Sequence, residues 1–195
     1  MKKIETFGYK KTIPEEIYFP VLKTLSFYPE LRDTTIIFRY KKPNGKIIMS
    51  AQPVFKTMFR VLAEREYYVN ISRNIKLGSD SMRIEELPED VLIGWLGHEL
   101  GHLMDYKNRS VASLVWFGLN YWLSKNFVKG AERTADEFAV QHGLGEKILQ
   151  TKNYILSHAE IPQQYKDKMK RLYLSPEEIM KMVETNQHQN IQPAI

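Results

Sequence analysis

The spacing of apolar and polar residues changes character near Pro88. Ahead of it, Thr34–Tyr40, Lys46–Ser50 and Arg65–Ser72 are short runs rich in β-branched and aromatic residues, the pattern of strands. Asn44-Gly45, between the first two runs, predicts a hairpin turn joining them. Ile13-Pro14-Glu15-Glu16 reads as a helix start, and Ile17, Val21, Leu22 and Leu25 recur at helical spacing, with Pro20 as an expected kink. Residues 53 to 63 fit a short helix or a strand equally well. Beyond Pro88 the pattern is almost wholly helical, so the fold class is α+β: a small N-terminal antiparallel sheet followed by a helical half. One domain is expected over 1–185, sheet-bearing over 1–87 and helical over 88–185, with a disordered polar tail from 186 to 195.

Two helical segments stand out. The first begins at Leu87-Pro88-Glu89-Asp90, with Pro at a helix start and two acids in the first turn, where free N–H groups favour negative charge. Val91, Leu92, Trp95, Leu96, Leu100 and Leu103 then form an apolar stripe. Gly94, Gly97 and Gly101 each cost ~1 kcal/mol against Ala in a helix. Close approach of another backbone or of a substrate would offset that, and plain packing is the simpler reading. The second segment, Val111 to Leu123, is apolar on nearly every side. At ~1.5 Å per residue it spans roughly 20 Å, short of the ~30 Å hydrocarbon core of a bilayer. That favours a buried core helix; the alternative is a helix at a membrane surface or partner interface, with Trp116, Tyr121 and Trp122 beside Lys125 and Lys129.

Composition narrows the chemistry. With 195 residues, 43% hydrophobic and 26% charged, the chain has the make-up of a globular protein with a real core. Its net charge of +5 comes without a long Lys/Arg run, so no nucleic-acid partner is expected. The absence of cysteine excludes disulfides and thiolate ligands, leaving His and carboxylates for any metal. Residues 1 to 10 carry charge with no apolar region behind it, which gives a cytoplasmic expectation, with membrane association as its variant.

Candidate chemistry centres on His98-Glu99-Leu-Gly-His102. At ~3.6 residues per turn, His98 and His102 share one helix face and can bind a single zinc ion, while Glu99, ~100° around the axis, flanks it as a candidate general base. A catalytic zinc site requires a third protein ligand. His142, His158 and His188 remain, but Glu132, in a helical stretch with Asp136 one turn on, is the better candidate, and Asp136 suits the free ring N–H of a ligand imidazole such as His98. Asp105 reads as a second acceptor of that kind or as a plain helix-surface acid. Tyr106, Tyr121 and Tyr165 are candidate oxyanion donors, or structural tyrosines among 11 in the chain.

His98-Glu-Leu-Gly-His102, with Glu132-x-x-Ala-Asp136-x-x-Ala139-x-x-x-Gly143 beginning 30 residues later, resembles the gluzincin zinc metallopeptidases of the CAAX prenyl protease and HtpX type. The resemblance covers residues 88 to 172 and implies a zincin-like helical half with one zinc per chain. It implies His98, His102 and Glu132 as ligands, Glu99 as general base and Asp136 behind a ligand. By the same resemblance Ser157-His158-Ala159 and Arg171 match a downstream Ser-His-Pro and Arg, departing at Ala159 and in spacing, with His158 in a catalytic role. Relatives of this type carry spanning helices between the two motifs, where this chain has the 111–123 segment alone.

The function these residues suggest is a zinc-dependent hydrolase acting on a protein or peptide; an edge of the small sheet either offers its backbone to the substrate or is an interior or water-facing strand. The alternative is a zinc-stabilised binding or regulatory module docked through 111–123.

Overall fold

A computed structural model describes residues 2–42, 47–61, 64–77 and 80–191. Its elements run α1 (Lys2–Glu5), β1 (Lys11–Thr12), α2 (Tyr18–Leu25), β2 (Thr35–Lys41), β3 (Met49–Pro53), β4 (Glu66–Ser72), β5 (Asn74–Leu77) and β6 (Asp80–Arg83). The helical half then comprises α3 (Glu89–Lys107), α4 (Val111–Leu123), α5 (Lys125–Ala139), α6 (Gly145–Ser157), α7 (Gln163–Leu172) and α8 (Pro176–Ile191). The α+β order read from the sequence is the order observed. One hydrophobic cluster, from Ile17 to Ile179, joins the sheet to the helices.

The sheet differs from the expected antiparallel hairpin. Its order is β1-β2-β4-β3, with β1 parallel to β2, β2 parallel to β4, and β3 antiparallel to β4. The Asn44-Gly45 turn lies outside the described residues, but β2 and β3 are not neighbours, because β4 lies between them. The reason is burial: Tyr67, Val69, Asn70, Ile71 and Ser72 are all buried on β4, so it takes the centre, whereas β3 carries exposed Gln52 and a proline, which belong at an edge. Of the segment 53 to 63, the described residues supply the end of β3 and a 3-10 turn, Phe55–Thr57. A second two-stranded ribbon, β5 with β6, was not anticipated. Pro20 does not kink α2: the helix begins at Tyr18, so Pro20 sits in the first turn, where its missing N–H has no intrahelical acceptor to lose.

α3 is the axis of the helical half, buried continuously from Val91 to Met104 and packed on α2, β3, α5 and α6. Its glycines settle their own question. A Cβ on Gly94 would lie 2.2 Å from the Lys147 carbonyl oxygen of α6, and one on Gly101 would lie 2.3 Å from the Ala135 carbonyl oxygen of α5. Two helix backbones therefore approach α3 closer than any side chain permits.

Serine caps set the register of the next two helices: Ser110 accepts from Ser113 N–H at the start of α4, and Ser124 from Phe127 N–H at the start of α5. Gly143, at φ 80°, turns the chain from α5 into α6. Ser175 and Glu178 hydrogen-bond each other's backbone N–H at the head of α8. From that start α8 continues to Ile191, past the boundary expected at 185; its Gln and Asn residues are polar but compatible with helix.

The Val111–Leu123 segment forms α4, but not as the buried core helix its length favoured. Leu114 and Phe117 are its buried residues, whereas Val115, Trp116, Leu119, Trp122 and Leu123 are exposed, Trp122 by 83%. α4 packs mainly on α5, and no second layer covers its outer face among the described residues. None of the described helices is long and apolar enough to cross a membrane.

Candidate metal centre

His98 and His102, one turn apart on α3, project toward α5, with ring centroids 4.8 Å apart. Glu132, from the facing turn of α5, places Oε2 3.2 Å from His98 Nε2 and 3.6 Å from His102 Nε2. All three residues are buried, and together they form a group that could hold a metal ion. Gly101 makes this meeting possible, since it lets α5 approach α3 at Ala135, one turn from Glu132.

Behind the group runs a buried chain of charges. His98 Nδ1 donates to Asp136 Oδ1 at 2.9 Å, which leaves Nε2 as the ring nitrogen that faces Glu132. Asp136 Oδ2 accepts from Lys152 Nζ at 2.8 Å and from the Leu174 backbone N–H at 3.1 Å. Lys152 is 3% exposed and lies over the Tyr173 ring, 4.8 Å from its centroid. Burial alone would favour a neutral Asp136, but Lys152 and His98 outweigh it and hold the carboxyl below its usual range. Glu132 is governed the same way: burial opposes its charge, and hydrogen bonds from His102 and His98 override it, keeping the carboxyl well below the ordinary value. Its other oxygen, Oε1, accepts from Tyr121 Oη at 2.5 Å. His102 has no such partner at Nδ1 among the described residues; its ring stacks on Tyr106.

Glu99 contrasts with Glu132. Burial pushes its carboxyl up, against the opposing pull of His98 and His102. The Ala51 backbone N–H of β3 donates to this carboxylate, while Oε2 has no hydrogen-bond partner among the described residues. Glu99 borders a cleft of about 390 Å³ lined also by Met49 to Pro53 of β3, His102, Tyr106, Phe117, Tyr121, Glu132, Lys168 and Tyr173. One wall is therefore a sheet edge and the other the candidate metal group.

The structure brings together His98, Glu99, His102, Glu132 and Asp136. It does not bring His158 to them. His158 comes after the last turn of α6, beside Tyr154, and is absent from the cleft lining. α6 runs antiparallel to α3, with Leu144 against Gly97 and Thr151 against Gly94, so residues beyond 157 lie toward the start of α3, away from His98 and His102. Arg171 is exposed on α7 and also absent from the cleft, where Lys168 of that helix stands instead. His142 is stacked on Tyr28, its Nδ1 donating to the Phe138 carbonyl. The side chain of His188 falls outside the described residues. Asp105 is the plain acid of the two readings, clamped by Arg109 one turn on. Of the candidate tyrosines, Tyr106 and Tyr121 line the cleft and Tyr165 packs on Trp95.

Sequence reasoning missed Tyr173, Lys168 and Lys152. The first two had no local signal. Lys152 had a weak one, a lysine three residues after Leu149 and three before Ile155 on a helix whose neighbours at that spacing are apolar. Compared with known proteins, the chain matches no family model, no curated protein and no solved structure.

Proposed function

We propose that the chain is a zinc-dependent peptide hydrolase of the gluzincin type, with His98, His102 and Glu132 as ligands and Glu99 as general base. The observation that carries this reading is the buried His98–His102–Glu132 group beside a cleft that His102, Glu132 and Glu99 line, with Glu99 Oε2 unpartnered among the described residues. Zinc fits the donor set. Ligand atoms ~2.0–2.1 Å from a tetrahedral ion stand roughly 3.3 Å apart, and the two nitrogen–oxygen separations here are 3.2 and 3.6 Å. Two imidazoles and one carboxylate, with a carboxylate behind one imidazole, make a three-ligand site that leaves a position open, as catalytic rather than structural zinc requires. A bound zinc would supply Lewis acidity, lowering the pKa of water and polarising a carbonyl.

The chain's own groups do the rest. The Glu99 carboxylate takes the proton of the attacking water and passes it to the departing amine. Asp136 keeps the proton of His98 on Nδ1, and Tyr121 orients Glu132 through Oε1. β3 offers the substrate a backbone. Its pairing with β4 uses the Ile48 carbonyl and the Val54 N–H, so by antiparallel alternation Met49, Ala51 and Pro53 turn their backbone groups outward. Ala51 N–H reaches Glu99, and the remaining outward groups of Met49 and Ala51 suit an extended peptide laid along the edge.

Metal titration of the chelated, refolded chain tests the reading. The expected result is one tightly bound zinc per chain together with cleavage of unstructured peptides. Zinc bound without cleavage, and unfolding on chelation, would favour the zinc-stabilised binding module instead; no zinc uptake would exclude both.

A further inference from the structure

Two exposed apolar surfaces border the cleft. On the sheet side Phe55, Phe59 and Val61 are exposed, Phe55 by 71%, with Phe55 and Phe59 in edge-to-face contact. On the helix side Val115, Trp116, Leu119 and Trp122 share the outer face of α4 at helical spacing, while Leu114, Phe117 and Tyr121 of the same helix line the cleft. Phe55 and Gly118 both line it, so the two surfaces meet at one opening.

The stretches that carry these rims are basic in sequence, although Arg60 and Arg109 are paired with Glu66 and Asp105. Residues 34–63 hold six Lys or Arg and no acid, and residues 106–131 hold four and no acid. These two stretches therefore carry ten positive charges in a chain of net +5, which leaves the remainder at −5. Both rims belong to the acid-free stretches, and Lys56, Lys125 and Lys129 are exposed within them.

We propose that this face docks on an anionic lipid bilayer, α4 and the Phe55–Val61 segment each inserting side chains at the cleft mouth. The chemistry is that of an interface: tryptophan at headgroup depth, aliphatic and phenyl groups beneath it, and lysines reaching anionic headgroups. A second copy is a poor occupant, because the exposed Lys56, Lys125 and Lys129 of one rim pair would meet the same lysines of the other. A groove-binding helix is also poor, since the apolar residues stand on separate rims rather than in one trough. Docking here turns the cleft toward the bilayer, so the chain segments that enter it are those emerging from or lying on a membrane. The inference rests on surface residues and goes beyond the hydrolase reading, which can fail without it.

Vesicle co-flotation of the full chain, without peptide, is the test. Phosphatidylcholine vesicles with about a third phosphatidylserine should capture the protein at low salt, and phosphatidylcholine alone should not. Trp116→Ser/Trp122→Ser should weaken partitioning roughly 30-fold or more, and Lys125→Gln/Lys129→Gln roughly 5-fold per lysine, while Phe19→Ser, another exposed aromatic outside both rims, leaves it unchanged. Acyl-chain-brominated lipids should quench the wild-type tryptophan fluorescence, a readout that needs no variant. Absence of capture on anionic vesicles, absence of quenching, or capture unchanged in the tryptophan variant would each overturn the proposal, as would a concentration-dependent dimer that the same variant abolishes.

Discussion

α4 and the α3–α5 pair are adjacent in the fold and opposite in logic. α4 is the most apolar helix in sequence and buries little of itself; α3 and α5 carry two histidines, a lysine-linked aspartate and two glutamates into the interior. Hydropathy does not decide which is buried. The deciding factor is whether each group meets a partner: His98, Asp136, Lys152 and Glu132 satisfy one another within hydrogen-bonding distance, and glycines let the backbones close around them. No described element supplies a matching surface for Trp122.

The sharpest way to break this comparison is to unpair the charge. Lys152→Met leaves Asp136 buried without its counter-ion and should cost about 3–5 kcal/mol in denaturant unfolding. It should also weaken zinc binding through the loosened His98, by roughly 10–100-fold. Next comes the close approach. Gly101→Ala gains ~1 kcal/mol of helix propensity but drives a Cβ to 2.3 Å from the Ala135 carbonyl oxygen, so a net loss of about 2 kcal/mol is expected, with zinc affinity falling because the proposed ligands lie on the two helices forced apart. An unfolding midpoint at or above wild type would show the helices to be less tightly engaged. At the small end, Trp122→Ser should change stability by no more than ~0.5 kcal/mol. A loss of several kcal/mol there would mean that α4 is covered after all.

Much of the site was legible in the sequence because its spacing is helical and local. His98, Glu99 and His102 follow from 3.6-residue geometry within one helix, and Glu132 with Asp136 from the same geometry within another; the structure adds that the two turns face each other. The parts that resisted were long-range. That β4 would insert between β2 and β3 depends on pairing across the sheet, and the Asn44-Gly45 signal spoke only for its own neighbourhood. The 111–123 segment was too short to span a bilayer, but length says nothing about whether a neighbour covers it. His158 was placed by likeness to a motif, and α6 runs it the wrong way along α3. Lys152 reads as a surface lysine until Asp136 is seen beneath it.

The central claim is that two buried glutamates on neighbouring helices have different work: Glu132 holds the metal and Glu99 moves the proton. Its most direct test is the peptide-cleavage rate of zinc-loaded Glu99→Gln beside wild type. One zinc per chain is expected in both, with a rate lowered by ~10²–10⁴-fold in the variant, the usual contribution of a general base. Cleavage at the wild-type rate by the zinc-loaded variant would contradict the claim.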